Sequence, residues 1–424
     1  MTYIEYYVND AIENICACLA QIPDRVILIG DNNKRLERKK ALYKKLFEAR
    51  GHIIDYDCVS VNKYNLSDII TKLTALIEKY DDCEFGLTGG EELYFVALGI
   101  LFERYPQKKL QMHRFNIRNG TIYDCDNDGQ VISVADGSSV ALTVEENIEI
   151  YGGSISSDPG ISTPVNTWVW DDELADDICT MWDICRADPR EWNIQVGLIA
   201  AGVELQREPS THSESLSLSI PLSRLSELLD AIHIQALQDM KILRKLRSKG
   251  LLTAFSISKS ELNLTFKNSQ IKYCLSKAGQ VLELMVYLSA ITAQENDETY
   301  TYYDVMNGVQ IDWDNLDHGE QGNTDTVNEI DVLMMHGMVP IFVSCKNGRI
   351  EIDELYKLNT VARKFGGQYA KMILVASSLD IASTYGQTLK QRADDMGIVV
   401  IHNMQTFDYD AMKAEIRTIH KRVK

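Results

Sequence analysis

The residues best suited to chemistry lie near the carboxyl end of the chain, on two predicted strands. One strand opens with Asn328-Glu329-Ile330-Asp331, and the next ends in Ser344-Cys345-Lys346, with Ser344 thirteen residues beyond Asp331. A tight turn between two antiparallel strands should bring Asp331 close to Ser344 and Lys346, and residues two apart face the same side of a sheet. Carboxylates bind Mg²⁺ or Mn²⁺, and a lysine orients water or a phosphate. These side chains predict metal-assisted hydrolysis of phosphodiester bonds.

This part of the chain, residues 276–424, resembles the PD-(D/E)-x-K restriction-endonuclease-like nucleases. The resemblance implies that Asp331 is the metal-binding aspartate and that Lys346 is the catalytic lysine. It also implies a further metal ligand, Glu283, because many of these nucleases use an acid on the helix that precedes the strands.

Ser344 departs from the family pattern, because it stands where the family has the acid of (D/E)-x-K. Serine is a weak metal ligand, so Glu329, on the same strand face as Asp331, or Glu283 is expected to compensate. The backbone carbonyl of Cys345 is a further candidate ligand for Mn²⁺ or Mg²⁺. The ligand set therefore stays open, and the catalytic candidates are Asp331, Lys346, Ser344 and Glu329.

Two polar, glycine-containing loops in the amino-terminal half follow predicted strands and precede predicted helices. These loops are Gly30-Asp31-Asn32-Asn33 and Thr88-Gly89-Gly90-Glu91. Ligands of open α/β sheets bind at this edge, where helix N-termini and glycine amides favour phosphate. The chain contains neither G-x-G-x-x-G nor G-x-x-x-x-G-K-[ST], which disfavours a dinucleotide or ATP-hydrolysis site.

The loops and the strand order resemble the CARF domain, the CRISPR-associated Rossmann fold. CARF domains form dimers and bind a cyclic oligoadenylate across the dimer interface. A CARF domain joined to a PD-(D/E)-x-K domain resembles the ancillary nucleases of type III CRISPR immunity. The resemblance implies a homodimer activated by cyclic tetra-adenylate that cleaves RNA, single-stranded DNA or supercoiled DNA with low sequence specificity. The ligand-binding residues that it implies are Asp31, Asn32, Asn33, Thr88, Gly89 and Gly90.

Two other functions remain open at this point. Ser344 motivates the first, a CARF-type sensor whose nuclease domain is degenerate and acts as a regulator or scaffold. The second is a metabolic α/β enzyme that uses a nucleotide, which the missing nucleotide motifs disfavour.

The pattern of apolar residues predicts an α/β protein with a Rossmann-like CARF domain followed by a restriction-endonuclease-like α/β domain. We predict a sensor domain over residues 1–155, a helical bridge with short strands over 166–275, and a nuclease domain over 276–424, in the order α-β-β-β-α-β plus α-β. A Gly, Ser and Pro-rich linker is expected at 151–166. Residues 168–205 and 221–248 are expected to be mostly helical, and 270–275 and 300–313 to be strands.

Composition restricts the class of protein. The 424 residues include 43 Lys and Arg against 61 Asp and Glu, and this net charge of -18 alone disfavours non-specific binding of nucleic acid. No run of about 18 apolar residues and no secretory signal is found, so we expect no membrane partner. The nine cysteines include no C-x-x-C pair, which disfavours a zinc ribbon and favours reduced thiols in the cytoplasm.

Overall fold

The computed structural model describes residues 1–156, 170–205, 215–223, 239–315 and 327–422. Two large β-sheets with flanking helices dominate these residues. Within these residues the strands form sheets of seven, six, three and two strands. Residues 157–169, which include most of the predicted linker, lie outside the described residues, as do residues 224–238 of the second predicted helical stretch.

The amino-terminal half builds the seven-stranded sheet and the helices that cover it. Its elements are β1 (Thr2–Tyr6), α1 (Cys16–Gln21), β2 (Arg25–Gly30), α2 (Asn33–Ala49), β3 (Asp55–Ser60), α3 (Leu66–Lys79), β4 (Cys83–Gly86), α4 (Glu92–Arg104), β5 (Gln111–Asn116), β6 (Thr121–Cys125), β7 (Val131–Asp136), α5 (Val144–Tyr151) and β8 (Ser154–Ile155).

The rest of the chain builds a middle segment and the six-stranded sheet. Its elements are α6 (Asp172–Ala187), α7 (Pro189–Leu205), β9 (Ser217–Pro221), α8 (Lys241–Ser248), β10 (Leu252–Ile257), β11 (Glu261–Phe266), α9 (Ser269–Cys274), α10 (Gln280–Ile291), β12 (Gln294–Asn296), β13 (Thr299–Tyr300), β14 (Asp304–Asp312), β15 (Val327–His336), β16 (Val339–Lys346), α11 (Ile352–Gly366), β17 (Lys371–Ala376), α12 (Thr384–Met396), β18 (Ile398–Ile401), a short 3₁₀ helix (Met404–Thr406) and α13 (Tyr409–Ile419).

The first sheet has the strand order β3-β2-β1-β4-β5-β6-β7. Strands β3, β2, β1, β4 and β5 run parallel, whereas β6 and β7 are antiparallel additions at one edge. The connections leave β1 in opposite directions, first towards β2 and β3 and later towards β4, so the switch point of the sheet lies between β1 and β4. This arrangement confirms the predicted Rossmann-like sheet.

The sequence pattern does not predict the central strand β1. All five of its residues, Thr2–Tyr6, are buried, and it pairs with both β2 and β4. The acidic residue Glu5 stands in the middle of this short segment, so the segment lacks the apolar run that marks a buried parallel strand.

The second sheet has the order β18-β17-β16-β15-β14-β8. Strands β14, β15 and β16 pair antiparallel with one another, whereas β16, β17 and β18 pair parallel. With α10, α11 and α12, these strands have the predicted order α-β-β-β-α-β plus α-β. The edge strand β8, Ser154–Ile155, pairs with β14 although it follows α5 of the amino-terminal half directly in the chain.

Two local predictions are wrong. The segment predicted as a strand over 270–275 is helix α9, because the Asn268 side chain accepts a hydrogen bond from the Ile271 amide at 2.8 Å and caps a helix there. The single strand predicted over 300–313 is divided between β13 and β14.

The middle segment and the second sheet share one apolar core. The indole of Trp182 on α6 donates to the Phe407 carbonyl at 2.9 Å, and the indole of Trp192 on α7 donates to the Ala278 carbonyl at 2.9 Å. None of the described helices is long and apolar enough to span a bilayer.

The end of α11 joins the two halves of the molecule. Asn147 on α5 is fully buried and donates from its amide to the Phe365 carbonyl at 2.7 Å. Just beyond α11, the Tyr369 hydroxyl donates to the Glu13 carboxylate at 2.7 Å. The carboxyl end of α11 is therefore anchored to the amino-terminal half.

Candidate active site and candidate ligand crevice

Asp331 lies opposite the end of β16. The register of the two strands pairs Val332 with Val343. Asp331 Oδ2 accepts hydrogen bonds from the Cys345 amide at 2.6 Å and from the Ser344 hydroxyl at 3.2 Å. The structure therefore brings Asp331 and Ser344 together, and Ser344 orients the carboxylate.

Lys346 lies on the same side of the sheet as Ser344, two residues before it. It forms an ion pair that the sequence pattern does not predict. Its Nζ lies 3.0 Å from Glu354 Oε2, and Lys357 Nζ lies 3.1 Å from the other oxygen of that carboxylate. Burial lowers the pKa of Lys346, but the charge of Asp331 and the hydrogen bond to Glu354 outweigh it and raise the pKa. Lys346 is therefore held as a cation.

Glu283 on α10 lies within electrostatic range of the same site. Burial raises its pKa to about 8, and the charges of Asp331 and Glu329 add to the shift. Burial also raises the pKa of Asp331, against the lowering effects of Lys346 and the Cys345 amide. Glu329 is more exposed, and its Oε1 lies 3.6 Å from Lys277 Nζ. Three predicted acids therefore share one electrostatic environment, with Glu329 at its rim.

The donors fit a hard divalent cation only in part. Across the ranges that the structure describes, no three His, Cys, Asp or Glu side chains are close enough to hold a metal ion. Mg²⁺ is usually held by only one or two carboxylates together with water, which matches Asp331 and Glu283. Burial is the main cause of the raised pKa of both carboxyl groups, and a bound cation would favour their charged forms. Burial raises the pKa of the Cys345 thiol well above its usual value, so only the carbonyl of Cys345 is a candidate ligand.

Glu283 predicts how stability depends on pH and on divalent metal. Its pKa is raised from 4.5 to about 8 in the folded state, so the folded state binds the proton more tightly. The free energy of unfolding therefore falls as the pH rises through that interval. In EDTA, we expect the Tm of Glu283→Gln to fall less between about pH 5 and pH 8 than that of the unaltered protein.

Mn²⁺ should raise the Tm of the unaltered protein at about pH 8 and raise that of Glu283→Gln less. Differential scanning calorimetry measures both effects. If Tm depended on pH equally in the two proteins, that result would contradict the raised pKa of Glu283.

The second set of predicted residues lies at the switch point of the first sheet. Asp31 follows β2, and Lys63 Nζ lies 3.3 Å from its carboxylate and 3.9 Å from that of Glu91, which follows β4. Asn32 caps α2 by accepting a hydrogen bond from the Arg35 amide at 3.1 Å, and Asn33 is exposed at the first position of the helix. The structure thus places both predicted loops at one edge, linked by Lys63.

Thr88, Gly89 and Gly90 form the other side of this crevice. The Thr88 hydroxyl oxygen accepts a hydrogen bond from the Phe115 amide at 2.9 Å, which fixes the loop to β5. A Cβ atom on Gly89 would lie 2.9 Å from both Glu13 Oε2 and Val8 Cγ2, which is too close for an unshifted side chain. Only glycine fits at 89 without displacing its neighbours, so the loop lies directly against the segment after β1.

Sequence reasoning misses two residues of this edge. Asn9, in the segment after β1, accepts a hydrogen bond from Arg35 Nη1 at 3.0 Å through its Oδ1, and Lys63 links the two loops. Asn9 carries no signal while β1 is unrecognised, and Lys63 is one of many surface lysines until the loops are assembled.

Comparison with known proteins gives a likeness of fold. No protein-family model matches the chain, and no curated protein sequence matches it significantly. The crystal structure of VC1899 from Vibrio cholerae matches with a TM-score of 0.71 and 16% identity, over 100% of this chain and 97% of that one. Can2 from Sulfobacillus thermosulfidooxidans, in complex with cyclic tetra-adenylate, matches with a TM-score of 0.62 and 14% identity, over 98% of this chain and 99% of that one.

The chain has the fold of VC1899 and Can2. The likeness spans almost the whole length of all three proteins, so both sheets and the middle segment belong to one shared architecture. The predicted resemblance to CARF-domain ancillary nucleases is confirmed at the level of the fold.

Proposed function

We propose that the protein is a metal-dependent nuclease of type III CRISPR defence, activated by cyclic tetra-adenylate. The observation that carries the proposal is the grouping of Asp331 and Lys346 on the second sheet with Glu283 on the adjacent helix α10, in a fold shared along its length with Can2. In this proposal, residues 1–155 are the sensor domain, 166–275 the bridge and 276–424 the nuclease domain.

The residues of the site have separate roles. Asp331 and Glu283, together with the Cys345 carbonyl, would hold Mn²⁺ or Mg²⁺, which when bound activates water and stabilises charge on phosphate. Lys346 is a cation that binds the scissile phosphate and withdraws charge from its oxygens. Ser344 and the Cys345 amide fix the orientation of Asp331. These contacts recognise a phosphate backbone, which is consistent with cleavage of low sequence specificity.

The crevice at the switch point is the proposed site for cyclic tetra-adenylate, with a second copy of the chain completing it. The exposed N-terminus of α2 offers amides and a positive dipole end to phosphate, and Arg35 and Lys63 lie beside it. Asp31, Asn32 and Asn33 line one side, and the predicted contacts on the other are Thr88, Gly89 and Gly90.

One assay tests this function. The full chain is incubated with RNA, single-stranded DNA or supercoiled plasmid in Mn²⁺, Mg²⁺ or EDTA, with and without cyclic tri-, tetra- and hexa-adenylate. We expect cleavage that requires metal and is stimulated most by cyclic tetra-adenylate. Absence of cleavage in every condition would overturn the nuclease function.

A specific observation favours a second candidate, a sensor with a degenerate nuclease domain that acts as a regulator or scaffold. Ser344 stands in place of the family acid and hydrogen-bonds Asp331, and the described residues lack a cluster of three metal-ligating side chains. This candidate predicts binding of cyclic tetra-adenylate, measured by calorimetry, with no metal-dependent cleavage in the same assay.

Ser344→Ala separates orientation of Asp331 from metal binding. The variant loses one hydrogen bond to Asp331 while the Cys345 amide remains, and a hydrogen bond contributes about 1 kcal/mol. We expect cleavage to fall by about fivefold, measured as kcat/KM on the best substrate. A loss of about a thousandfold would instead show that Ser344 itself holds the metal.

A further inference from the structure

A small cavity lies where the two halves of the molecule meet, away from both sites described above. Its volume is about 130 Å³, and its lining includes Arg118, His336, Gln368, Tyr369, Lys371 and His420. Arg118 belongs to the turn between β5 and β6 of the first sheet. Lys371 opens β17, His336 ends β15 and His420 follows α13. Arg118 and Lys371 carry positive charge, in a chain whose net charge is -18. Burial lowers the pKa of His336 and lowers that of His420 to about 4, so both rings are neutral near pH 7.

The two cationic side chains of this cavity, Arg118 and Lys371, lack an acid partner in the part of the chain that the structure describes. Among the residues that the structure describes, neither Arg118 nor Lys371 has a carboxylate within ion-pair distance. Burial and the charge of Arg118 both lower the pKa of Lys371, whose Nζ donates to the His420 carbonyl. Glu295 Oε1 lies 3.9 Å from His420 Nε2, while its other oxygen pairs with Lys421 Nζ at 3.5 Å.

His420 is a buried residue of this cavity with an unpaired ring nitrogen among the described residues. The residue is 8% exposed, and its Nδ1 has no hydrogen-bond partner among the described residues. Its ring stacks on that of His336, with centroids 4.1 Å apart and planes 16° from parallel, which fixes its orientation. A buried polar atom without a partner is unfavourable, and such atoms in native structures are normally satisfied by protein, water or a ligand.

A larger cavity of about 760 Å³ adjoins the small one, since Arg118 and His336 line both. Aromatic and apolar side chains form much of its lining, including Phe115, Tyr300 and Tyr302. This volume lies in the usual range for sites that bind organic ligands.

We propose that the small cavity binds the phosphate group of a nucleoside monophosphate and that the larger cavity holds its nucleoside. The phosphate oxygens accept from the Arg118 guanidinium, from Lys371 Nζ and from His420 Nδ1–H, which are donors suited to an oxyanion. Arg118 comes from the first sheet and the other donors from the second, so the ligand bridges the two halves of the molecule.

Isothermal titration calorimetry on the full chain tests this site, with adenosine 5′-monophosphate, inorganic phosphate and adenosine as probes. We expect the monophosphate to bind at least about tenfold more tightly than phosphate or adenosine alone. Arg118→Ala should weaken binding of the monophosphate by about tenfold or more. The matched control is Arg114→Ala. It removes the same charge from an exposed position on β5 that lines neither cavity.

A second variant, His420→Gln, addresses the buried histidine and should also weaken binding. Folding of each variant is checked by its Tm without ligand. No binding of the monophosphate at about 10 mM overturns the proposal. Equal affinity in Arg118→Ala and the unaltered protein also overturns it. None of these measurements depends on cleavage, so their outcome is independent of the proposed nuclease.

Discussion

Replacing Lys346 by methionine is expected to reduce metal-dependent cleavage by about 10²–10³-fold, the cost typical of losing one donor that stabilises a charged transition state. Lys346 is held as a cation beside Asp331, and from the end of β16 it pairs with Glu354. Methionine keeps most of the length of the side chain, so the packing around β16 should be retained. Single-turnover rates with saturating activator measure the effect on the chemical step.

Lys357→Met is the matched control for this variant. Lys357 pairs with the same Glu354 carboxylate at 3.1 Å, but its side chain is 67% exposed and it lies one helical turn further along α11. Exposed ion pairs contribute little, so the control should cleave within about threefold of the unaltered protein. Equal losses in the two variants would assign the effect to Glu354 rather than to Lys346.

Replacing Gly89 by valine is expected to raise the concentration of cyclic tetra-adenylate needed for half-maximal cleavage by about 100-fold or more. The new side chain has no room between Glu13 and Val8, so it would displace the loop or enter the crevice. A loss of about 2.7 kcal/mol of ligand binding corresponds to that factor. Cleavage measured across a range of activator concentrations gives the shift.

Gly99→Ala is the control for this change, because no atom outside the adjacent backbone of its own helix α4 lies within 4 Å of a Cβ at that position. Asn33→Ala adds a variant that cannot disturb the core, since Asn33 is exposed at the start of α2. It should weaken activation without lowering Tm. Normal activation in both Gly89→Val and Asn33→Ala would move the ligand away from this crevice.

The sequence is enough to predict those helices and strands whose apolar residues recur with a simple period. The order α10-β14-β15-β16-α11-β17-α12-β18 follows from them, and so does the closeness of Asp331 and Ser344, because a tight turn joins their strands. The central strand β1 does not follow from them, since Glu5 interrupts it and its burial depends on pairing with β2 and β4.

The partners of the site are harder to predict than its central residues. Glu354 pairs with Lys346 only because α11 returns across the end of β16, and a sequence does not specify the direction of that return. Likewise, Lys63 joins Asp31 to Glu91 only after the four parallel strands β3, β2, β1 and β4 have been placed side by side.

Helix α11 carries Glu354 near its amino end and the anchored Phe365 near its carboxyl end. Phe365, whose carbonyl accepts from Asn147, lies 11 residues beyond Glu354, a distance of about 16.5 Å at 1.5 Å per residue. A rotation of about 5° about the anchored end would displace Glu354 by about 1.4 Å. Such a displacement is enough to break its 3.0 Å contact with Lys346. The hydrogen bond from Asn147 and the ion pair of Glu354 thus lie on one helix, so α11 directly connects the amino-terminal half to the counter-charge of Lys346.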